Sequence, residues 1–291
     1  VPGIIWLASF PKSGNTWMRA FLANYLMDPS EPVDINDLRF HCYGDGFWLH
    51  LEKLSGRKKD DLTPEDVAKL RPRLHAWFAN SQNHDVFVKT HNIIGKLHGT
   101  PLITPSATAG AIYIVRNPLD VAVSFAHHYQ VSYARAAQLL GEPKNHVPRS
   151  EEQAAMLLGS WSQHVRSWTE AKGMSRCLVR YEDMVRTPEA AFGRVLEFLR
   201  VPFESARLAK AIEFSSFEKL SGQEKSGGFR EARPDGSTSF FRSGAVGQWA
   251  EELEQEQIER ICKDQREVMQ VLGYITPEGD PLETPRPCAS D

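Results

Sequence analysis

Cysteine is scarce in this chain of 291 residues: Cys42, Cys177, Cys262 and Cys288 are scattered, with no CxxC spacing. A reducing compartment fits this better than a disulfide framework, so a cytoplasmic location is expected. No run of ~18 apolar residues occurs, and no transmembrane helix is expected. The first residues read as a strand rather than as a charged n-region before a long apolar stretch, so no signal peptide is expected. Net charge is −3, too balanced for bulk binding of nucleic acid, so an anion site must be a local cluster of Lys and Arg. No internal repeat is visible. No His, Cys or carboxylate cluster has ligand spacing, and no metal is expected. The Walker A pattern G-x-x-x-x-G-K-[ST] is absent too.

What is present is ordinary for a soluble globular protein, with 41% hydrophobic and 24% charged residues. The length allows a sizeable core. Ile4 to Ala8, Val86 to His91, Ala111 to Arg116 and Cys177 to Tyr181 read as strands, most of them apolar on consecutive positions, as when both faces are covered. Helices are expected from Thr16 to Leu26, from Thr63-Pro64-Glu65-Asp66 to about Asn80, and from Asn117-Pro118 through about Tyr133. Ser150-Glu151-Glu152-Gln153 reads as a capping box opening a helix to Lys172. Thr187-Pro188 opens one to Leu199, and Glu251 to Leu272 reads as a last helix stopped by Gly273. Strands alternating with helices predict an α/β fold, a three-layer parallel sheet flanked by helices. Its ligands bind beyond the carboxyl ends of the strands. Residues 1–275 read as a single domain, with 28–85 as an acceptor-side insertion, 221–239 as a mobile, Gly-rich loop and 276–291 as a poorly ordered tail.

The chain is organised around Ser-Phe-Pro-Lys-Ser-Gly-Asn-Thr-Trp, Ser9 to Trp17. It sits between the first strand and the first helix. Such a loop exposes unpaired N–H groups at the positive end of a helix dipole, a place that binds phosphate or sulfate. Gly14 lets the backbone approach an anion. Lys12 adds a full charge, and Ser13, Asn15 and Thr16 add donors. An ordinary strand–helix turn with a solvated lysine would use similar residues.

Pro-Lys-Ser-Gly-Asn-Thr-Trp resembles the 5′-phosphosulfate loop of the cytosolic-type sulfotransferases, usually Pro-Lys-Ser-Gly-Thr-Thr-Trp, with Asn15 in place of a threonine. The resemblance implies a P-loop-NTPase-like sulfotransferase fold. It also implies the donor 3′-phosphoadenosine 5′-phosphosulfate (PAPS), with adenosine 3′,5′-bisphosphate as product and no metal. Lys12 through Trp17 would hold the 5′-phosphosulfate.

Further blocks follow in family order from about Ile4 to Leu272. Lys89-Thr90-His91 is similar to the family's Lys-x-His; His91 would be the general base and Lys89 would support the transferring oxygens. Arg116 with Asn117-Pro118-Leu119-Asp120 and Ser124 resembles the element that holds the 3′-phosphate. A guanidinium fork and a hydroxyl suit that anion, although Arg116 could instead pair with Asp120. Tyr181, in Tyr-Glu-Asp-Met, would hydrogen-bond adenine, with Ser215 and Phe217 around the base. Arg242-Ser243-Gly244-Ala245-Val246-Gly247-Gln248-Trp249 is similar to Arg-Lys-Gly-x-x-Gly-Asp-Trp, with Ser243 for lysine and Gln248 for aspartate. Arg242, Ser243 and Gly244 would clamp the 3′-phosphate. The family's dimerisation pattern after this tryptophan is broken by Ala250, Glu254 and Gln255, so that dimer is not expected.

The expected reaction is sulfuryl transfer to a hydroxyl, with an amine as the second acceptor class. Lys12, Lys89, Ser124 and His91 carry the chemistry, and the acceptor is a small alcohol or phenol. Phe40, Phe47 and Trp48, with Phe125, His128 and Tyr129, are candidates for an apolar acceptor pocket. The segment from Asp28 to Asp61 could equally be a cap over the core edge. Two other readings stay open: a P-loop-like kinase, and a nucleotide-binding module in which His91 is only a core residue.

Overall fold

The computed structural model describes residues 2–232 and 239–283. It has an α/β fold, a central parallel sheet flanked by helices. The strands are β1 (Ile4–Ser9), β2 (Tyr43–Gly44), β3 (Val86–Thr90), β4 (Thr108–Val115) and β5 (Arg176–Arg180), in the spatial order β2-β3-β1-β4-β5. β1 pairs in parallel with β3 and β4, and β2 with β3. All six residues of β1 are buried, which explains its unbroken apolar run. The backbone contacts divide into two compact units. One holds residues 2–10, 42–114 and 142–178; the other holds 11–41, 115–141, 179–232 and 239–283.

In the first unit Trp6 is fully buried, donates from Nε1 to Thr108 Oγ1 at 2.9 Å and meets the His75 ring edge-on at 4.9 Å. In the second, Phe21 of the helix Asn15–Met27 stacks on Phe192 of Pro188–Phe198, with centroids 3.9 Å apart. Each such buried side chain contributes about 1.5–3 kcal/mol of apolar transfer.

Several expected helices are present with clear local causes. Pro64–Ala79 starts at a capping box between Thr63 and Asp66 with a proline in its first turn. Pro118–Tyr129 starts where the Asn117 side chain accepts from Leu119 N–H. It ends earlier than the sequence suggests, because Gln130 turns left-handed (φ 54°) and a separate helix, Tyr133–Gly141, begins beyond it.

The helix expected from Ser150 to Lys172 does not form as one piece. Ser150 Oγ accepts from Glu152 and Gln153 N–H, closing a turn. Met156–Leu157 then pairs with His146–Val147 as a short strand. Gly159 has φ +66°, and the helix Trp161–Thr169 starts at a second capping box, Ser160 with Gln163. The last helix is also divided. Trp249–Glu252 ends at the extended Leu253, and Glu254 with Gln257 caps a new helix, Gln255–Asp264. Arg266–Val271 follows Gln265, whose side chain donates to Leu140 O.

The Gly-rich segment read as mobile begins as a helix, Phe217–Gly227, with Ser216 as its N-cap. Residues 233–238 of that expectation lie outside the described residues. The part of the tail up to Glu283 folds back: Ile275 bridges Pro281, and Thr276 N–H donates to Asp280 O at 2.8 Å. Residues 284–291 lie outside the described residues.

Candidate active site

In the second unit, the loop after β1 carries two left-handed residues, Lys12 (φ 67°) and Gly14 (φ 100°). A lysine in that region costs about 1 kcal/mol or more, a strain that collects at ligand-binding turns. Gly14 is obligatory: a Cβ there would lie 2.7 Å from the Tyr181 ring. The helix Asn15–Met27 follows with no side-chain cap at Gly14 and no acid in its first turn. Its positive end is therefore not neutralised locally. Ser13 Oγ is buried with no hydrogen-bond partner, and so is Trp17 Nε1. Orphaned buried donors beside a glycine cradle fit a phosphate-bearing ligand. Thr16 Oγ1 accepts from Arg19 Nη2 at 3.0 Å and keeps its own proton to donate. Arg19 is itself held by Glu231 at 2.7 and 2.9 Å, a partner the sequence does not advertise. Asn15 is buried in the first turn, and the Lys12 ammonium sits 3.8 Å from the Phe240 ring centroid.

Arg116, at the end of β4, is buried and bridges two segments. It donates to Lys12 O at 3.3 Å and to Ala245 O at 3.0 Å, with its guanidinium 4.2 Å above the Tyr181 ring. Asp120 does other work: its carboxylate accepts from Gly247 N–H at 2.8 Å and Trp249 N–H at 3.2 Å. It thereby shapes the Arg242–Trp249 block, a role reasoning from sequence missed because the two are far apart along the chain. Ser124 lies one turn beyond Asp120 on the same helix and is half-buried.

The Tyr181 hydroxyl, which the resemblance directs to adenine, donates to Gly244 O at 2.9 Å. Burial raises its phenol above the ordinary value, against the nearby Arg116 charge. Phe217 packs against Gly244, where a Cβ would come within 2.6 Å of its ring. Ser215 is fully buried, and its Oγ donates to Ala211 O at 2.8 Å, ending its own helix. Arg242 Nη1 donates to Glu252 at 3.0 Å and Nη2 to Gln248 Oε1. Ser243 is exposed.

Of the acceptor candidates in this unit, Phe125 and Tyr129 meet at 4.2 Å, and His128 stands edge-on to Tyr129 and to Phe240. Phe229 and Phe241 join Phe240; these three were missed, although Phe-Phe before Arg242 was a visible signal. Phe40 is 70% exposed and does not join them.

In the first unit, Phe47 packs close to Gly44. Trp48 is 5% exposed and donates from Nε1 to Ser150 O at 2.9 Å, which makes it a packing residue there. Lys89 and His91 are half-buried, whereas Val88, Thr90 and Asn92 between and around them are buried. That alternation puts Lys89 and His91 on one face of the strand end. His91 Nδ1 lies 2.8 Å from Ser9 O and 3.3 Å from Ser9 Oγ. A carbonyl only accepts, so Nδ1 carries the proton and Nε2 is the basic nitrogen. Among the described residues no group of three or more His, Cys, Asp or Glu could hold a metal ion, and no helix is long and apolar enough to cross a membrane.

A family model for the sulfotransferase domain matches residues 2–273. Human sulfotransferase 1C2 is 24% identical over 278 residues, 92% of this chain and 84% of that protein. The flavonol 3-sulfotransferase of Flaveria bidentis is 25% identical over 297 residues, 94% and 84% of the two chains. Retinol dehydratase, solved in a complex with retinol and PAP, shares the fold with a TM-score of 0.63 at 17% identity, covering 92% of this chain and 82% of that one. A match over nearly the whole chain, on a central parallel sheet flanked by helices, places this protein in the sulfotransferase family, as a PAPS-dependent sulfotransferase.

Proposed function

We propose that the chain transfers a sulfuryl group from PAPS to a hydroxyl of a small-molecule alcohol or phenol, with His91 as general base. The single observation that carries this reading is the His91 Nδ1–Ser9 O contact at 2.8 Å, which leaves Nε2 as the base. Bound PAPS supplies a sulfuryl group on a phosphosulfate anhydride. His91 Nε2 takes the hydroxyl proton as the acceptor oxygen attacks in line. Lys12, Ser13, Thr16 and the N–H groups after Gly14 stabilise charge on the 5′-phosphate, which needs positioned dipoles and no covalent help from the protein. Lys89 steadies the transferring oxygens. Arg116, Ser124 and Arg242 hold the 3′-phosphate, and Tyr181 and Phe217 enclose the base, whereas Ser215, fully buried with its hydroxyl on Ala211 O, supports that wall from behind. The cluster of Phe125, His128, Tyr129 and Phe240 supports an aromatic or lipophilic acceptor.

The test is calorimetric titration with adenosine 3′,5′-bisphosphate and with ADP, followed by a PAPS assay against phenols, aliphatic alcohols and amines. Preference for the bisphosphate and sulfation of hydroxyl acceptors support the reading. Equal binding of ADP, or transfer to amines alone, overturns it.

A further inference from the structure

A buried carboxylate that the reaction does not touch holds the strand end on both sides of His91. Asp45 follows β2, whose Gly44 is paired with Lys89. Its N–H donates to Lys89 O at 3.1 Å. Its Oδ2 accepts from Thr90 Oγ1 at 2.8 Å and from Asn92 Nδ2 at 2.7 Å. Its Oδ1 accepts from Arg71 Nη1 at 2.7 Å and His75 Nε2 at 2.9 Å. A carboxylate has about four acceptor sites, and these four donors fill them.

The two basic donors are one turn apart on the helix Pro64–Ala79 and share a face. Asp45, Arg71 and His75 are each 1% exposed or less. Burial alone would raise the Asp45 carboxyl, but the Arg71 charge and the bonds from His75 and Thr90 outweigh it and hold it well below the usual range. Thr90 Oγ1 also accepts from Asn92 N–H at 3.0 Å, closing a tight clamp around position 91. Asn92 is tied further, to Leu157 N–H and Trp168 Nε1. Because side chains alternate along a strand end, the two residues Asp45 grips face away from the one that would do chemistry. Catalysis is sensitive to such placement, since a 1 Å error can cost about 100-fold in rate.

We propose that Asp45 is a positioning residue for sulfuryl transfer, holding residues 89–92 so that Lys89 and His91 keep one fixed presentation on the opposite face. This rests on the reading of His91 as the general base. The carboxylate acts through Thr90 and Asn92 and touches neither acceptor nor donor.

The experiment compares Asp45→Asn, Thr90→Val and Thr90→Ser with wild type and His91→Ala. It measures kcat, acceptor KM, bisphosphate affinity and melting temperature. Asp45→Asn leaves Arg71 without its counter-charge, so the Thr90 pair decides the question if that variant does not fold. Thr90→Val keeps shape and loses the donor: kcat is expected to fall about 10-fold with acceptor KM and bisphosphate Kd within about twofold. Thr90→Ser restores kcat. Wild-type kcat in Thr90→Val, a loss that follows the folded fraction alone, or no rescue by serine overturns the positioning role, even where His91→Ala is inactive. Undiminished turnover in His91→Ala instead removes the base reading itself.

Discussion

His91 Nδ1 is 2.8 Å from the Ser9 carbonyl oxygen, and this contact joins the end of β3 to the last residue of β1, its neighbour in the sheet. One backbone oxygen thus selects the tautomer of the imidazole. At neutral pH, nitrogen-15 NMR of labelled protein is expected to show His91 with Nδ1 protonated and Nε2 bearing the lone pair. The opposite tautomer would remove the structural basis for Nε2 as the base.

Gly14→Ala places a Cβ 2.7 Å from the Tyr181 ring at a φ of +100°. That ring is hemmed in by the Arg116 guanidinium and its bond to Gly244. We expect a stability loss of about 1–3 kcal/mol and at least about a 10-fold loss of bisphosphate affinity, a ~1.4 kcal/mol effect. Denaturant melts and calorimetry check both.

Arg242 is held by Glu252, with the two side chains 33% and 30% exposed. So open a pair is worth about 1 kcal/mol or less, and a phosphate can displace it. Arg242→Ala is expected to weaken adenosine 3′,5′-bisphosphate while leaving 5′-AMP almost unchanged. Equal losses for both would take Arg242 off the 3′-phosphate.

The fully buried His164 donates from Nε2 to His91 O at 3.0 Å, while its Nδ1 meets the Tyr113 hydroxyl at 2.8 Å. Burial lowers it from 6.5 to about 4, against the backbone bond to His91. The folded pKa is depressed, so the unfolded chain binds the extra proton first. Stability is therefore full above about 6.5 and is lost as pH falls toward about 4, by about 3 kcal/mol. Melts across that range should show the fall, and His164→Asn should flatten it.

The parts of this molecule that local chemistry decides were legible in the sequence. The buried run Ile4 to Ala8 and the helix start at Thr63-Pro64 formed where expected. Ser150 misled because its hydroxyl satisfies the same N–H groups in a turn as in a helix, and Ser160 supplies the true cap. The grip of Asp120 on Gly247 and of Asp45 on Thr90 and Asn92 was not legible. Such pairs bring together residues far apart in the chain, and no periodicity or spacing encodes them. For the same reason Arg116 looked like a partner for Asp120, four residues on, when it lies on Lys12 O and Ala245 O.

His91 is expected to remove the acceptor proton and not to hold the nucleotide. The most direct measurement is the turnover of His91→Ala with PAPS and a hydroxyl acceptor that the wild type sulfates, beside its affinity for adenosine 3′,5′-bisphosphate. Loss of about 100-fold or more in kcat, with bisphosphate binding unchanged, is the predicted result. Turnover within about twofold of wild type, a barrier change of well under 1 kcal/mol, would contradict the account.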